Sequence, residues 1–586
     1  MNLNSLPDYI IVKILKYYFD FHGPLKSNKS CLLRSICKKW NDMILPKLLE
    51  IKINLNSWDN YEDILEMTKS KITPVIMASV SKTSFQYIND SQYVVIKDNI
   101  RCYFVEISDV KSQNYKIPPS KTLSALYMTF TPNLVDFIEP FKKFFDRSFF
   151  EMSKTLESIE FDWVSVESDD NFHPSKFPKH LGETIPDENQ IKNIHALFGP
   201  CSINVTPLLM LPCFSKVQNI SLEYLESQLS DIIEIFKLPN LKSLDLYYFT
   251  INSESIDPLL EVLSSGQSNL ESFECEPNNN AMLKSTTLIQ CINSNRKLKS
   301  LNLQNVTIVK PDTDDTTTTI TNHTLESLVL DQSSLSNFTP IDIYQLWNSK
   351  SAMKSLFLNF IEINDRLYNS LKHYHFHTVT KLTIILDGDN TTQGKLMSDI
   401  IKLNPPLLHS FELDIKWEFA ESLTNTNQIH EDVYLSIESL GASCNLRKFK
   451  STVTINTEMI LKFLQLTTIR KISFFKYSGA LCKSLVDSLC KNTVLESINI
   501  QNGEPNSGDM RSFLEGITQI IEFNHILKSI TIQSPTNTAD SPMSTILQLT
   551  NVISNNIHRL YHIDLGVYHT LLFIFLKNHF SVNTPY

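Results

Sequence analysis

The chain has 586 residues, 42% hydrophobic and 20% charged, so it folds, and at this length it needs several domains or one repeat array rather than a single core. Its 63 acidic and 53 basic residues give a formal net charge of −10, which argues against a general nucleic-acid binder that neutralises phosphates. The 10 cysteines contain no Cys-x-x-Cys pair, a distribution that suits buried thiols in a reducing compartment better than a disulfide framework or a zinc site.

Asp8, Lys13 and Lys16 interrupt the first 19 residues, so no signal-peptide core is expected there. The apolar run Leu571 to Leu576 is far shorter than the roughly 20 residues of a membrane span. The expectation is a protein of the cytoplasm and/or nucleus, with no membrane or nucleic-acid partner.

Two helical patterns fill residues 1–50. Pro7 and Asp8 suit a first helical turn, and Ile11, Ile14, Leu15 and Tyr18 form its apolar stripe. A second stripe runs through Leu33, Ile36, Trp40, Met43 and Ile44 and stops at Pro46. Leu6-Pro7, Ile10, Ile14 and Leu15, followed by Ile36-Cys37-Lys38-Lys39-Trp40, resemble an F-box. The resemblance implies binding to the Skp adaptor of a cullin-based ubiquitin ligase through Leu6, Pro7, Ile10, Ile14, Leu15, Ile36 and Trp40. The alternative is a helical cap on the open end of a repeat array. Leu48 to Ile53 reads as an initial strand, and residues 51–120 as an irregular linker or degenerate first repeats.

From residue 121 to 586 a short phrase keeps returning. It reads Leu241-Lys-Ser-Leu244-Asp-Leu246, and returns from Leu270, Leu298, Leu325 and Met353, at steps of 29, 28, 27 and 28 residues. Similar phrases open upstream at Leu156 and Val217 and weaker ones at Leu123 and Ile191, and later copies open at Val379, Leu408, Leu446, Ile469, Leu495, Leu527 and Leu560. Positions four and six alternate with three and five, so each phrase is a short strand with one apolar side, which only stacked neighbours can bury. The spacing falls within the roughly 20 to 29 residues of leucine-rich repeats, and the chain resembles their ribonuclease-inhibitor class. The expected fold is an α/β solenoid: a horseshoe with a parallel sheet lined by helices, behind a small helical N-terminal domain.

Helices are expected at Ile256 to Leu263, with Pro258 in the first turn, and at Met459 to Leu466, Leu481 to Leu489 and Phe513 to Ile521. At position nine, where that class places Asn or Cys, stand Phe249, Val306, Ser333 and Ile361, so the usual side-chain ladder is absent or replaced. Ser165 to Gln190, with Pro174, Pro178 and Pro186, reads as an exposed loop, and Thr-rich residues 309–322 as another.

Catalytic signals are weak. Gly388 to Lys395 has five residues between its glycines and Leu396 after the Lys, so it reads as a repeat loop leading into a helix and not as a phosphate-binding loop. His373, His375 and His377 could share one side of an extended segment, or belong to a solvated helix end and turn; no partner ligands for a metal are evident. Neither an enzyme nor a cofactor is expected.

A partner should meet positions three, five and seven, on the concave face. The early repeats place Glu160, Asp162, Glu223, Asp245, Tyr247, Glu274 and Glu276 there, and later ones Phe357, Lys448, Lys450, Lys471 and Phe475. This is an acidic-to-basic gradient with aromatics interspersed, the composition of a protein interface. The leading reading is a substrate-recruiting subunit of a Skp–cullin–F-box ligase. The alternatives are a repeat scaffold without a ubiquitin link, or a GTPase activator.

Overall fold

A computed structural model describes residues 50–54, 75–80, 100–107, 117, 119–130, 141, 144–163, 177–189, 191–198, 206–251, 253–309, 319–331, 343–359, 365–386, 392–415, 426–477, 481–502, 510–532, 543–556 and 562–564. The helical hairpin expected before residue 50, with its adaptor-contact residues, lies outside them. Two compact units divide the chain: residues 1–314 with 331–337, and residues 315–330 with 338–586.

In the first unit the strands are β1 (Glu50–Asn54), β2 (Val75–Val80), β3 (Ile100–Ile107), β4 (Ala125–Phe130), β5 (Ser158–Asp162), β6 (Asn193–Leu197), β7 (Asn219–Glu223), β8 (Glu226–Ser227), β9 (Ser243–Ile251), β10 (Ser272–Pro277), β11 (Ala281–Lys284), β12 (Ser300–Gln304) and β13 (Val306–Val309). From β1 to β7, and on through β9, β10 and β12, each strand pairs in parallel with the next. The ladder therefore includes β1, β2 and β3, which lie within the stretch read as an irregular linker or degenerate first repeats.

The second unit stacks β14 (Ser327–Asp331), β15 (Ser355–Asn359), β16 (Lys381–Leu386), β17 (Ser410–Ile415), β18 (Lys448–Ser451), β19 (Lys471–Tyr477), β20 (Ser497–Asn502), β21 (Ser529–Ile532) and β22 (His562–Asp564) in the same parallel order. Parallel neighbours need a crossover, and helices supply it. Examples are Asp257–Ser264, with Pro258 in its first turn, Thr457–Phe463, Lys483–Lys491 and Met510–Phe523.

The registers align phrase with phrase. Leu244, Phe273 and Leu301 are successive partners in the first unit, as are Leu328 and Leu356 in the second, and all five are 0% exposed. Each such side chain contributes about 1.5–3 kcal/mol of burial, realised only because a neighbouring repeat covers it. Each unit is an α/β solenoid of leucine-rich repeats.

Two side-chain devices hold repeats in step. At position two, charges alternate across neighbours: Lys192 meets Glu157 at 2.7 Å, and Arg470 and Lys528 flank Glu496, each at 2.9 Å. Three residues before position one, a recurring Asn ends the crossover. Asn295 and Asn524 accept from the backbone N–H of Leu298 and Leu527, and donate to the carbonyls of Leu263 and Leu489 in the preceding repeat. Asn492 does the same with Leu495 and Leu464.

The position-nine ladder is replaced by apolar packing, with Phe249 0% and Val306 1% exposed; Ser333 and Ile361 lie outside the described residues. The expected loop from Ser165 to Gln190 needs correction, because it contains the helix Phe177–Thr184, with Leu181 and Ile185 buried. Pro178 there suits the opening turn of a helix instead of breaking one. The three histidines are not on an extended segment. The Asp365–Ser370 helix continues into a π-helical turn, Leu371–His375, in which His373 is exposed while His375 is fully buried.

Candidate interaction surface

Positions four and six go into the core, so three, five and seven face the other way. In the first unit, position five runs through Tyr127, Glu160, His195, Ser221, Asp245 and Glu274, each register partner of the next. Carboxylates crowd this row. Between Glu160 and Glu223 sits His195, its Nε2 3.0 Å from Glu223 and its Nδ1 3.4 Å from Glu160. The Glu160 hydrogen bond, working against burial and aided by Glu223, holds this imidazole above its usual range.

Further along, Asp245 and Glu274 lie side by side. Burial, then the Glu274 charge, push the Asp245 carboxyl up to about 6, against a weak hydrogen bond from Ser243. Burial and a hydrogen bond to Glu274 likewise push the Tyr247 phenol up. Glu274 Oε1 also accepts from Asn302 Nδ2 at 2.5 Å and Gln304 Nε2 at 3.1 Å. Asp245, Tyr247 and Glu274 are thus one connected group. Asp162 and Glu276 are half-exposed at the same strand ends.

In the second unit the expected residues Phe357, Lys450 and Phe475 are linked by two that sequence reasoning passed over, Lys381 and Glu412. Lys381 Nζ lies 5.5 Å from the centre of the Phe357 ring and 2.8 Å from Glu412 Oε2. Lys450 holds the other Glu412 oxygen and lies 5.1 Å from the Phe475 ring centre. Burial pushes the Glu412 carboxyl up, yet hydrogen bonds from Lys381 and Lys450 keep it below its usual value. Within the basic patch expected from Lys448, Lys450 and Lys471, Lys450 is paired with Glu412, while Lys448 and Lys471 are both exposed and side by side in register. Lys381 and Glu412 stand at positions three and five of the phrases from Val379 and Leu408, where the same counting finds them.

Position eight carries an aromatic in five consecutive repeats: Phe130, Trp163, Phe198, Tyr224 and Tyr248. The first three are buried and stacked, at 5.0 Å and 5.3 Å between ring centres, with planes within 9° of parallel. Tyr224 and Tyr248 instead adopt φ of 57° and 52°. A single left-handed residue acts as a bulge and shifts strand parity by one. Leu225 and Phe249 therefore enter the core, while the two tyrosines stack on each other outside, 5.2 Å apart and 46% and 40% exposed.

No family model matches the chain, and no curated protein matches it. Among solved structures it is similar to a plant peptide hormone receptor, RGFR1 in complex with RGF2, at 12% identity and a TM-score of 0.26, over 84% of this chain and 77% of that one.

Proposed function

We propose that this chain is a non-enzymatic protein-interaction scaffold of the cytoplasm and/or nucleus, whose open strand face holds a partner. The observation that carries the reading is the division of labour within each strand. Positions four and six are committed to the core, while three, five and seven present half-exposed charged and aromatic groups in register over many strands. Side chains preorganised on rigid strands lose little freedom on binding, which favours recognition. A photo-crosslinking residue placed at Phe357 should capture a defined protein, and one placed at exposed Glu261 of the Asp257–Ser264 helix should not. Equal capture from both positions, or from neither, would overturn the reading.

A finer reading is the substrate-recruiting subunit of a Skp–cullin–F-box ligase. Its support is the F-box resemblance of Leu6, Pro7, Ile10, Ile14, Leu15, Ile36 and Trp40. The full chain should recover the Skp adaptor in a pull-down, and a chain lacking residues 1–50 should not. Recovery with both chains or with neither removes this reading and leaves the scaffold standing.

A further inference from the structure

The exposed Tyr224–Tyr248 stack has no part in the core. Left-handed backbone is unfavourable for a tyrosine, and the equivalent position of a later repeat uses Asn305, at φ 54°, a residue type that tolerates this conformation. Two bulky side chains therefore occupy strained positions where Asn would serve, and the outcome is a pair of aromatic faces in solvent. Carboxylates stand at the neighbouring strand ends, with Glu276 the register partner of Tyr247. Glu223 precedes Tyr224, and the charges of Glu276 and Glu223 act on the Tyr248 phenol and push it up. Asp245 and Glu274 extend the negative field across the adjoining strands.

We infer that the stacked Tyr224–Tyr248 pair, with Glu223 and Glu276 beside it, docks an arginine side chain carried by an extended segment of a partner protein. The inference rests on the scaffold reading and names the chemistry of its partner. Arginine fits because a planar guanidinium lies flat on an aromatic face while donating in-plane hydrogen bonds to carboxylates, which an ammonium cannot do together. A proline-bearing segment would use the rings but gain nothing from the carboxylates, and an acidic one would be repelled.

The test uses the full chain and short fluorescein-labelled Gly/Ser peptides carrying two Arg, two Lys, two Pro or two Glu, read by anisotropy at physiological salt. The Arg peptide should bind most tightly. A Tyr224→Gly/Tyr248→Gly variant should bind it about tenfold more weakly, the size expected of cation–π contact with two rings. Glycine is the natural occupant of left-handed backbone, so this variant keeps its fold, which its circular dichroism and melting temperature would verify. Tyr224→Phe/Tyr248→Phe should bind within twofold of the wild type, since the π-faces remain. No preference for Arg over Lys or Pro, or equal binding by the glycine variant, overturns the inference. If only this inference fails, capture from Phe357 persists; if the scaffold reading fails, that capture is lost as well.

Discussion

Asp245 offers a perturbation with an unusual sign. It sits on the open strand face beside Glu274, and burial with that neighbouring charge raises its carboxyl from 3.8 to about 6. A carboxyl whose folded pKa lies above its unfolded value supports the fold below about pH 4 and loses that support as pH rises through about 6. At pH 7 the ionised group is therefore a liability. The full shift would correspond to about 3 kcal/mol, and solvent screening of this partly exposed group reduces it to about 1 kcal/mol. Asp245→Asn keeps the shape, removes the charge and should raise stability by about that amount at pH 7. Urea unfolding of wild type and variant at pH 7.5, 6, 5 and 4 should show an advantage for the variant that shrinks on acidification and vanishes near pH 4. A variant less stable than wild type at pH 7.5, or an advantage independent of pH, would refute the reasoning.

His375 should show the opposite pH dependence. Its ring is fully buried, Nδ1 2.9 Å from Ser351 Oγ, and burial holds it down at about 4. The unfolded chain takes up a proton near pH 6.5 that the folded chain refuses, so stability falls between about pH 6.5 and 4, by up to about 3 kcal/mol. Wild type should lose more stability between pH 7 and 5 than His375→Asn, whatever the variant's absolute stability; parallel losses would contradict this. At Glu412, substitution by Ala should cost about 1–3 kcal/mol in urea unfolding, because it leaves Lys381 and Lys450 facing each other across a part-buried gap. A cost within error of zero would show that the three-residue bridge contributes nothing.

Much of this architecture was legible because strand and phrase share a simple arithmetic. A period of two fixed the inward side, and a step near 28 residues fixed the stack, so Leu244, Leu301, Leu328 and Leu356 could be placed in a core from spacing alone. The same counting placed Asp245, Tyr247 and Glu274 together. It failed where parity changes, because one left-handed residue at Tyr224 or Tyr248 reverses inside and outside and carries no local sequence signature. It also failed where partners lie a whole repeat away, as with Lys450 and Glu412. The recurrent Asn at 295, 492 and 524 was visible to a search three residues before each phrase. Its role, capping one crossover against the carbonyl of the preceding one, needed the third dimension.

The central claim, that alternate residues of each phrase divide between a shared core and an open face, is tested most directly by two adjacent substitutions in β15. Leu356 is fully buried and Phe357 half-exposed beneath Lys381. Equilibrium unfolding should show Leu356→Ala destabilised by about 2–5 kcal/mol and Phe357→Ala by less than about 1 kcal/mol, the reverse of the order set by side-chain size. A larger loss for Phe357→Ala would place the core on the wrong side of the strand and contradict the account.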